Sequence, residues 1–211
     1  MNRLAILGAS GHGKVVADIA ECMGYSDIVF FDDDASKETC LGFPVVGNVK
    51  DFVNANTQDY FVAVGNARAR QQITELLASH GIESVSLIHP SATVAKSTRI
   101  KPGTAVMAGA VVNPDVRIGC SCIINTGATI DHDSIIGDYC HISVGSHLAG
   151  TVVVGNRSWV GAGAVVSNNL TICQDCIIGA GAVVVKNISA PGSYVGVPAA
   201  AIHHHQKRSE D

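Results

Sequence analysis

An aliphatic residue recurs at every sixth position through the second half of the chain, and this repeat constrains the fold more than any other feature. The run comprises Val94, Ile100, Val106, Val112, Ile118, Ile124, Ile130, Ile136, Ile142, Leu148, Val154, Val160, Val166, Ile172, Ile178 and Val184. No insertion interrupts it. An unbroken six-residue period indicates a solenoid in which every repeat supplies one short strand and one corner.

A second register supports the same interpretation. Most residues two positions before each aliphatic residue are small, as at Ala110, Cys122 and Ala164. Residues i and i−2 of a strand share a face, so both side chains are predicted to point inward. Glycines follow the aliphatic residue at several corners, where we expect tight turns; they are Gly119, Gly137, Gly155, Gly161 and Gly179. A triangular coil takes three hexads, and the run therefore predicts roughly five coils.

The segment before the repeat has a different pattern, which predicts a small α/β domain. Strands are expected at 3–7, 28–31, 60–64 and 85–88, and helices at 14–23 and about 67–80. Strands that alternate with helices favour a small parallel, Rossmann-like sheet. The predicted organisation is a small α/β domain at 1–88, the repeat domain at 89–200 and a polar tail at 201–211.

A glycine-rich turn follows the first strand and acidic residues follow the second. The turn is GASGHG at 8–13, and the acids are Asp32, Asp33 and Asp34. Glycines let a phosphate approach a helix N-terminus, and an acid can bind ribose hydroxyls. Fewer than 90 residues precede the repeat, which favours a mononucleotide or nucleotide sugar over a dinucleotide. The open alternative is a turn that serves packing alone.

Composition excludes several classes of function. The formal net charge is −4 and no basic run occurs, so no nucleic-acid partner is expected. No apolar stretch is long enough to predict membrane insertion. Seven cysteines, an odd number outside any small secreted framework, favour reduced thiols and the cytoplasm. Cys173 and Cys176 form a CxxC motif, but the hexad register already accounts for both positions.

His132 is the strongest candidate for a general base. It lies at a predicted corner within Asp131-His132-Asp133, where a carboxylate could orient the imidazole ring. Gly150 lies eighteen residues later, one coil along on the same corner. His141 and His147 each precede an inward aliphatic residue and should point outward.

The whole chain to about residue 200 resembles sugar acyltransferases of the sialic acid O-acetyltransferase type, and especially bacterial UDP-4-amino-sugar N-acetyltransferases. The matching segments are GASGHG at 8–13, FDDD at 31–34, AVGN at 63–66, INTGATIDHD at 124–133, HISVGSHLAG at 141–150 and VGVPA at 195–199. The resemblance implies a left-handed parallel β-helix, a homotrimer with sites completed between chains, and acetyl-CoA as co-substrate. It implies direct N-acetylation of a UDP-linked 4-amino-4,6-dideoxy sugar in bacterial surface glycan biosynthesis.

The resemblance also implies a role for particular residues. His132 would be the base, assisted by Asp133, where the family has glutamate; Asp131 could substitute. Gly150 would offer its N–H to the thioester carbonyl. The acceptor and its nucleotide would be bound by Ser10, Gly11, His12, Gly13, Asp32, Asp33, Gly65, Asn66, Arg70, Asn125 and His141. The cofactor would contact His141, Gly150, Ala162, Ala180 and Lys186.

Three alternatives remain open at this point. The first is O-acetylation of a sialic acid or related sugar by the same residues. The second is a zinc lyase that uses His132, His141 and His147 across subunits. The third is a non-catalytic nucleotide-sugar binder.

Overall fold

A computed structural model describes residues 3–54 and 59–202, and the predicted tail beyond Ile202 lies outside them. The N-terminal region comprises β1 (Arg3–Leu7), α1 (Gly11–Cys22), β2 (Asp27–Phe31), β3 (Thr39–Cys40), β4 (Phe43–Pro44), α2 (Val49–Asn54), β5 (Asp59–Val62) and α3 (Ala67–Ser79). The strands β2, β1 and β5 form a parallel sheet in that order, with β1 in the centre. The short helix α2 was not predicted. No helix of the described residues is long and apolar enough to cross a bilayer.

The rest of the chain forms a three-faced prism of short strands. In chain order they are β6 (Leu87–Ile88), β7 (Thr93–Val94), β8 (Arg99–Ile100), β9 (Ala105–Val106), β10 (Val111–Val112), β11 (Arg117–Ile118), β12 (Ile123–Ile124), β13 (Thr129–Ile130), β14 (Ile135–Ile136), β15 (His141–Ile142), β16 (His147–Leu148), β17 (Val153–Val154), β18 (Trp159–Val160), β19 (Val165–Val166), β20 (Thr171–Ile172), β21 (Cys176–Ile178), β22 (Val183–Val184), β23 (Gly192–Val195) and β24 (Ala200–Ala201). From β6 to β22 every third strand shares a face, so each of these strands pairs in parallel with the strand eighteen residues away, as Ile124 does with Ile142. The last strand, β24, instead runs antiparallel to β23. The predicted α/β domain followed by a hexapeptide β-helix is confirmed.

The three faces differ in length. Face I contains β6, β9, β12, β15, β18, β21, β23 and β24; face II contains β7, β10, β13, β16, β19 and β22; face III contains β8, β11, β14, β17 and β20. Six strands on face II make about six coils, one more than the hexad count predicted. One reason is that Ile88 lies six residues before Val94 and continues the register backwards. The strand predicted at 85–88 therefore belongs to the prism: Leu87–Ile88 pairs with Ala105–Val106.

The hexad register correctly predicts the prism core. From Val106 onward every aliphatic residue of the run is buried, whereas Val94 and Ile100, in the first coil, are half-buried. Buried hydroxyls at the small positions are satisfied by the next coil. The Ser158 hydroxyl donates to the Cys173 carbonyl at 2.9 Å and accepts from the Cys176 N–H at 3.1 Å. A polar group can therefore lie inside this core without an unpaired hydrogen bond.

The expected reason for the corner glycines is wrong. Gly155 and Gly161 do not have the left-handed backbone of a tight turn. A Cβ on Gly161 would lie 2.6 Å from the Ile178 carbonyl oxygen, so the next coil excludes a side chain there. The left-handed residue lies two positions after the first residue of a corner, as at Gly163 (φ 65°) after Gly161 and Asp133 (φ 59°) after Asp131. An aspartate tolerates this conformation better than most side chains.

The N-terminal domain packs against face I. Helix α1 and one side of its sheet share an apolar cluster with Leu87, Ala105, Met107 and Ile123 of the prism. The other side of the sheet packs against Phe52 and Leu77 of α2 and α3. The domain covers the early coils of face I, and the later strands of that face remain accessible beside the carboxyl ends of β1 and β5.

Candidate active site

The corner between faces II and III, here called the histidine corner (131–134, 149–152, 167–170 and 185–188), carries the candidate base. His132 Nδ1 lies 2.8 Å from Asp133 Oδ2, and both side chains are more than half exposed. The hydrogen bond to Asp133, followed by the charge of Asp131, raises the pKa of His132 above its usual range. Asp131 instead accepts from the His132 backbone N–H at 2.8 Å and from Asn113 Nδ2 at 2.7 Å. Of the two carboxylates, Asp133 therefore orients the ring and Asp131 holds the backbone.

Gly150 lies directly against the His132 ring. A Cβ at this position would be 2.7 Å from both Cε1 and Nε2 of the imidazole, so a glycine is needed for the observed ring position. The Gly150 carbonyl accepts from the Asn169 N–H at 3.0 Å, but the Gly150 N–H has no acceptor among the described residues. A free backbone donor therefore lies one coil from the candidate base, as the eighteen-residue spacing predicted.

A second group of candidate residues lies on and beside face I. Asn125 Nδ2 is 3.0 Å from His141 Nε2, and the His141 ring stacks on the Trp159 indole with centroids 5.5 Å apart. Burial, followed by the positive charges of Arg70 and His12, lowers the pKa of His141 to about 4. His141 is thus neutral near pH 7, with its ring fixed by an amide and an aromatic neighbour.

The glycine-rich turn lies at the start of α1. The residues Ser10 and Gly11 are exposed, whereas Gly13 is buried because Phe30 and the Gly8 carbonyl leave no room for a side chain. His12 Nε2 is buried with no hydrogen-bond partner among the described residues. Burial, followed by the Arg70 charge, lowers the pKa of His12 to about 4. An unpaired buried nitrogen beside an open helix N-terminus can accept or donate one hydrogen bond to a ligand.

The acids after β2 partly support this turn. Asp32 Oδ2 accepts from the Ala9 N–H at 2.7 Å and pairs with Lys37 at 2.9 Å. Asp33 Oδ1 accepts from the Val49 N–H at 3.2 Å. Asp32 therefore fixes the loop between β1 and α1, and both acids line a surface pocket of about 320 Å³ next to it.

The prediction that Arg70 binds the substrate is not supported by its position. Arg70 is 1% exposed. Its guanidinium donates to the carbonyls of Val64, Gly65, Ser121 and Tyr139 at 2.7 to 2.9 Å. The side chain thus links the end of β5 to two coils of the prism, and four of its five N–H groups already have partners. Burial lowers its pKa from the usual value.

A cleft of about 500 Å³ opens between the start of α3 and face I. The predicted residues Gly65, Asn66 and His141 line it. No sequence pattern indicated the larger side chains that line the rest of the cleft, which are Arg68, Arg157, Trp159, Asp175 and Ile177. Asp175 binds Arg157 through two contacts of 2.9 and 2.8 Å and binds Arg68 at 3.0 Å. Asn66 Oδ1 caps α3 by accepting from the Ala69 N–H at 3.0 Å, so its amide group faces the cleft from a fixed position.

The remaining cofactor candidates divide between two corners. Lys186 is exposed on the histidine corner, thirty-six residues beyond Gly150 in the same register. Ala162 and Ala180 are exposed on the corner between faces I and II, here called the alanine corner (125–128, 143–146, 161–164 and 179–182). Asn125 begins the alanine corner, and His141 lies just before it. Face II separates the two corners, so one chain does not bring His132 together with Asn125 or His141.

The three histidines of the zinc-lyase alternative lie on three parts of the prism. His132 is at the histidine corner, His141 is on face I, and His147 is on face II with Nδ1 2.9 Å from Thr129 Oγ1. Within the described residues of one chain they form no metal-binding group. The CxxC thiols of Cys173 and Cys176 lie 3.4 Å apart, and Cys176 is a buried core residue.

Comparison with known proteins agrees with both halves of the fold. Residues 3–77 match the PglD N-terminal domain, and residues 151–186 match the bacterial transferase hexapeptide repeat. UDP-N-acetylbacillosamine N-acetyltransferase from Bacillus subtilis (strain 168) is 37% identical over 115 residues, which is 51% of this chain and 52% of that protein. The chain thus matches about half the length of its curated relatives.

Solved structures match nearly the whole chain. A histidine-to-asparagine variant of perosamine N-acetyltransferase from Caulobacter crescentus, in complex with CoA and GDP-perosamine, is 39% identical with a TM-score of 0.92 and covers 97% of this chain and 98% of that one. The acetyltransferase domain of PglB from Neisseria gonorrhoeae FA1090, in complex with acetyl coenzyme A, is 42% identical with a TM-score of 0.92 and covers 96% of this chain and 100% of that one. The chain therefore belongs to the hexapeptide-repeat acetyltransferases that carry a PglD N-terminal domain.

Proposed function

We propose that this protein transfers the acetyl group of acetyl-CoA to the amine of a UDP-linked 4-amino-4,6-dideoxy sugar in bacterial surface glycan biosynthesis. The observation that carries the proposal is the His132–Asp133 pair, joined at 2.8 Å and in contact with Gly150, whose N–H is free. It occurs in a chain that aligns over almost its full length with a relative bound to CoA and GDP-perosamine.

His132 can act as the base in one tautomer. In the neutral ring, Nδ1–H donates to Asp133, which leaves the Nε2 lone pair available on the side that faces Gly150. The amine nitrogen attacks the thioester carbonyl carbon, and its proton passes to Nε2. The C–S bond then breaks, CoA leaves, and the imidazolium returns the proton to the thiolate. No covalent enzyme intermediate is needed.

The Gly150 N–H is the proposed donor to the oxygen of the tetrahedral intermediate. A backbone N–H held by the adjacent coil does not reorganise as negative charge develops, which makes it an effective oxyanion donor. This N–H has no acceptor among the residues that the structure describes. A hydrogen bond to the substrate would therefore replace only a bond to water, which supports the assignment.

The nucleotide is assigned to the N-terminal domain. Ser10, Gly11 and the unpaired His12 Nε2 surround the start of α1, where a phosphate is favoured. The acids at 32 and 33 lie at the carboxyl end of β2, and ligands of parallel α/β sheets bind at that edge. The sugar would extend into the cleft past Asn66 and His141, where the exposed indole of Trp159 offers an apolar surface to a deoxysugar.

The active site is proposed to form between chains of a homotrimer. The histidine corner of one chain would face the alanine corner of its neighbour, with acetyl-CoA in the groove between them. This arrangement explains why His132, Gly150 and Lys186 share one corner while Asn125, Ala162 and Ala180 share another. The cytoplasm is the proposed location, in agreement with seven unpaired cysteines in the described part of the chain.

Hybrid trimers test the shared site. A His132→Ala chain and an Asn125→Ala chain are co-expressed with different tags, and mixed trimers are isolated. If each site uses both chains, about one site in three of every mixed trimer combines two intact corners, and activity returns to roughly a third of the unmodified level. If each site lies within one chain, no site is intact and the mixture is as inactive as either parent.

An acceptor panel tests the reaction itself. The protein is mixed with acetyl-CoA and, separately, UDP- or GDP-linked 4-amino-4,6-dideoxy sugars and free or CMP-linked sialic acids, and thiol release is followed at neutral pH. Rapid release with a nucleotide amino sugar, and an alkali-stable amide product, are expected. Release with the sialic acids alone would replace the proposal by O-acetylation. Binding of nucleotide sugar without any thiol release would indicate a non-catalytic binder.

A further inference from the structure

Three metal-ligating side chains converge outside the proposed active site, where α1 meets the first coil. Asp18 and Cys22 lie one turn apart on α1, and His89 follows β6 at the start of the prism. One ligand atom of each residue lies within 4.8 Å of the other two. Among residues 3–54 and 59–202, this is the one such group of three. The sequence alone does not predict this group, because α1 and His89 meet only in the folded chain.

The spacing of the ligand atoms is close to that of a tetrahedral metal site. Zinc lies about 2.3 Å from thiolate sulfur and about 2.0 to 2.2 Å from imidazole nitrogen or carboxylate oxygen, which puts ligand atoms roughly 3.3 to 3.8 Å apart. Because no two of the three atoms are more than 4.8 Å apart, tetrahedral spacing requires them to approach one another by at most about 1.5 Å. Asp18 and Cys22 are exposed, so rotation of their side chains can provide this movement without any backbone shift.

The chemistry of the donors favours zinc among the common metals. A thiolate selects a soft or borderline ion, and an imidazole with one carboxylate excludes neither zinc nor cobalt, whereas calcium and magnesium prefer oxygen donors throughout. Positions i and i+4 of a helix present two ligands on one face, as helical zinc sites require. Three protein ligands leave a fourth position for water.

His89 already has an orienting neighbour. Ser91 Oγ lies 2.7 Å from His89 Nδ1, and the Ser91 backbone N–H donates to the same nitrogen at 3.0 Å. Metal binding at Nε2 requires the tautomer with Nδ1–H, which can donate to the Ser91 hydroxyl. The Ser91 backbone N–H, which donates to Nδ1 in the metal-free chain, must lose that bond when the metal binds. A hydrogen bond from the second ring nitrogen is the usual way in which a metal-bound histidine is held.

We propose that Asp18, Cys22 and His89 form a zinc site that ties α1 to the first coil of the prism. Binding releases the Cys22 thiol proton to solvent and changes no oxidation state. Helix α1 begins at the glycine-rich turn, and His89 is fixed to the second coil through its N–H to the Val106 carbonyl at 2.8 Å. The metal therefore stabilises the orientation of the nucleotide-binding domain on face I. The inference is independent of the acetyl-transfer proposal.

Cobalt titration of the full-length protein tests the site, because a cobalt–thiolate bond gives a near-ultraviolet charge-transfer band that histidines at 203–205 cannot produce. One equivalent per chain should develop the band, and one equivalent of zinc should displace it. Cys22→Ser should abolish the band. Ser91→Ala should weaken cobalt binding about 10- to 100-fold.

Cys173→Ser is the matched control, since Cys173 belongs to the other thiol pair that could bind cobalt. It should leave the band unchanged. Zinc should also raise the unfolding temperature of the unmodified protein and of Cys173→Ser, but not that of Cys22→Ser. A band that survives in Cys22→Ser, a band lost in Cys173→Ser, or no band at stoichiometric cobalt would each overturn the proposal.

Discussion

Replacing Gly150 with alanine should inactivate the enzyme by moving the base and nothing else. The added Cβ would lie 2.7 Å from His132 Cε1 and Nε2, whereas ordinary contacts begin near 3.4 Å. The ring must therefore move by about 0.7 Å or rotate away. Because Nδ1 is bound to Asp133 at 2.8 Å, the movement also disturbs the hydrogen bond that sets the tautomer.

The expected loss is about 100-fold in kcat, since misplacement of a catalytic group by an ångström costs about that factor. Folding should be almost unaffected. The backbone at position 150 is not left-handed, the His132 side chain is exposed and can yield, and the three atoms nearest to the new methyl all belong to the His132 ring. A change of about 0.5 kcal/mol or less in the free energy of unfolding is expected.

The assay is a double-mutant cycle on steady-state thiol release with His132→Ala, Gly150→Ala and the double variant, with trimer content and urea unfolding as checks. If the methyl acts through the ring, Gly150→Ala has no further effect once His132 is alanine. Unchanged kcat in Gly150→Ala would refute the reasoning. An equal 100-fold loss in the His132→Ala background would show that the glycine acts by some other route.

Three further predictions concern charge and burial. Asp133→Asn should lower kcat by about 10² to 10⁴ by favouring the wrong tautomer of His132. It should also shift the acidic limb of the kcat/KM pH profile to lower pH, because the carboxylate that raises the pKa of the base is lost. Asp131→Asn should have the smaller effect on both quantities, and equal effects would contradict the assignment. Arg70→Leu should lower the free energy of unfolding, measured in urea, by about 3 kcal/mol or more, because four carbonyls lose their donor. Replacement of the exposed Arg68 in Arg68→Leu should cost less than about 1 kcal/mol. Similar losses in the two variants would contradict the structural role of Arg70. The pKa of His141 is about 4 in the folded chain, below its unfolded value of 6.5, so its contribution to the free energy of unfolding should be complete above pH 6.5 and should fall as the pH drops towards 4. His141→Asn should therefore make the free energy of unfolding less dependent on pH between these values. An unchanged slope would contradict the pKa shift.

Much of the prism follows from the sequence because its period is fixed. Once Ile130 and Leu148 are taken as inward, His132 and Gly150 must share a corner one coil apart, and the structure brings them into contact. The choice between Asp131 and Asp133 could not be made in this way. It depends on the left-handed backbone at 133, which turns that carboxylate towards Nδ1.

Contacts between the two domains were beyond prediction. Arg70 follows Asn66 by four residues and was assigned to the substrate, but packing of α3 against two successive coils of the prism buries it. Trp159 is one of several strand residues whose side chains point away from the prism core. It lines the cleft only because residues of the N-terminal domain lie just beside it. Such positions have no local signal, since they depend on which face of the prism the first domain covers.

The most direct test of the central claim compares the unmodified protein with His132→Ala in acetyl transfer from carbonyl-¹³C acetyl-CoA to a UDP-linked 4-amino-4,6-dideoxy sugar. We expect an amide carbonyl signal from the unmodified protein that rises together with thiol release, and a loss of about 100-fold or more in a His132→Ala variant that still binds both substrates. Undiminished amide formation by His132→Ala would contradict the account.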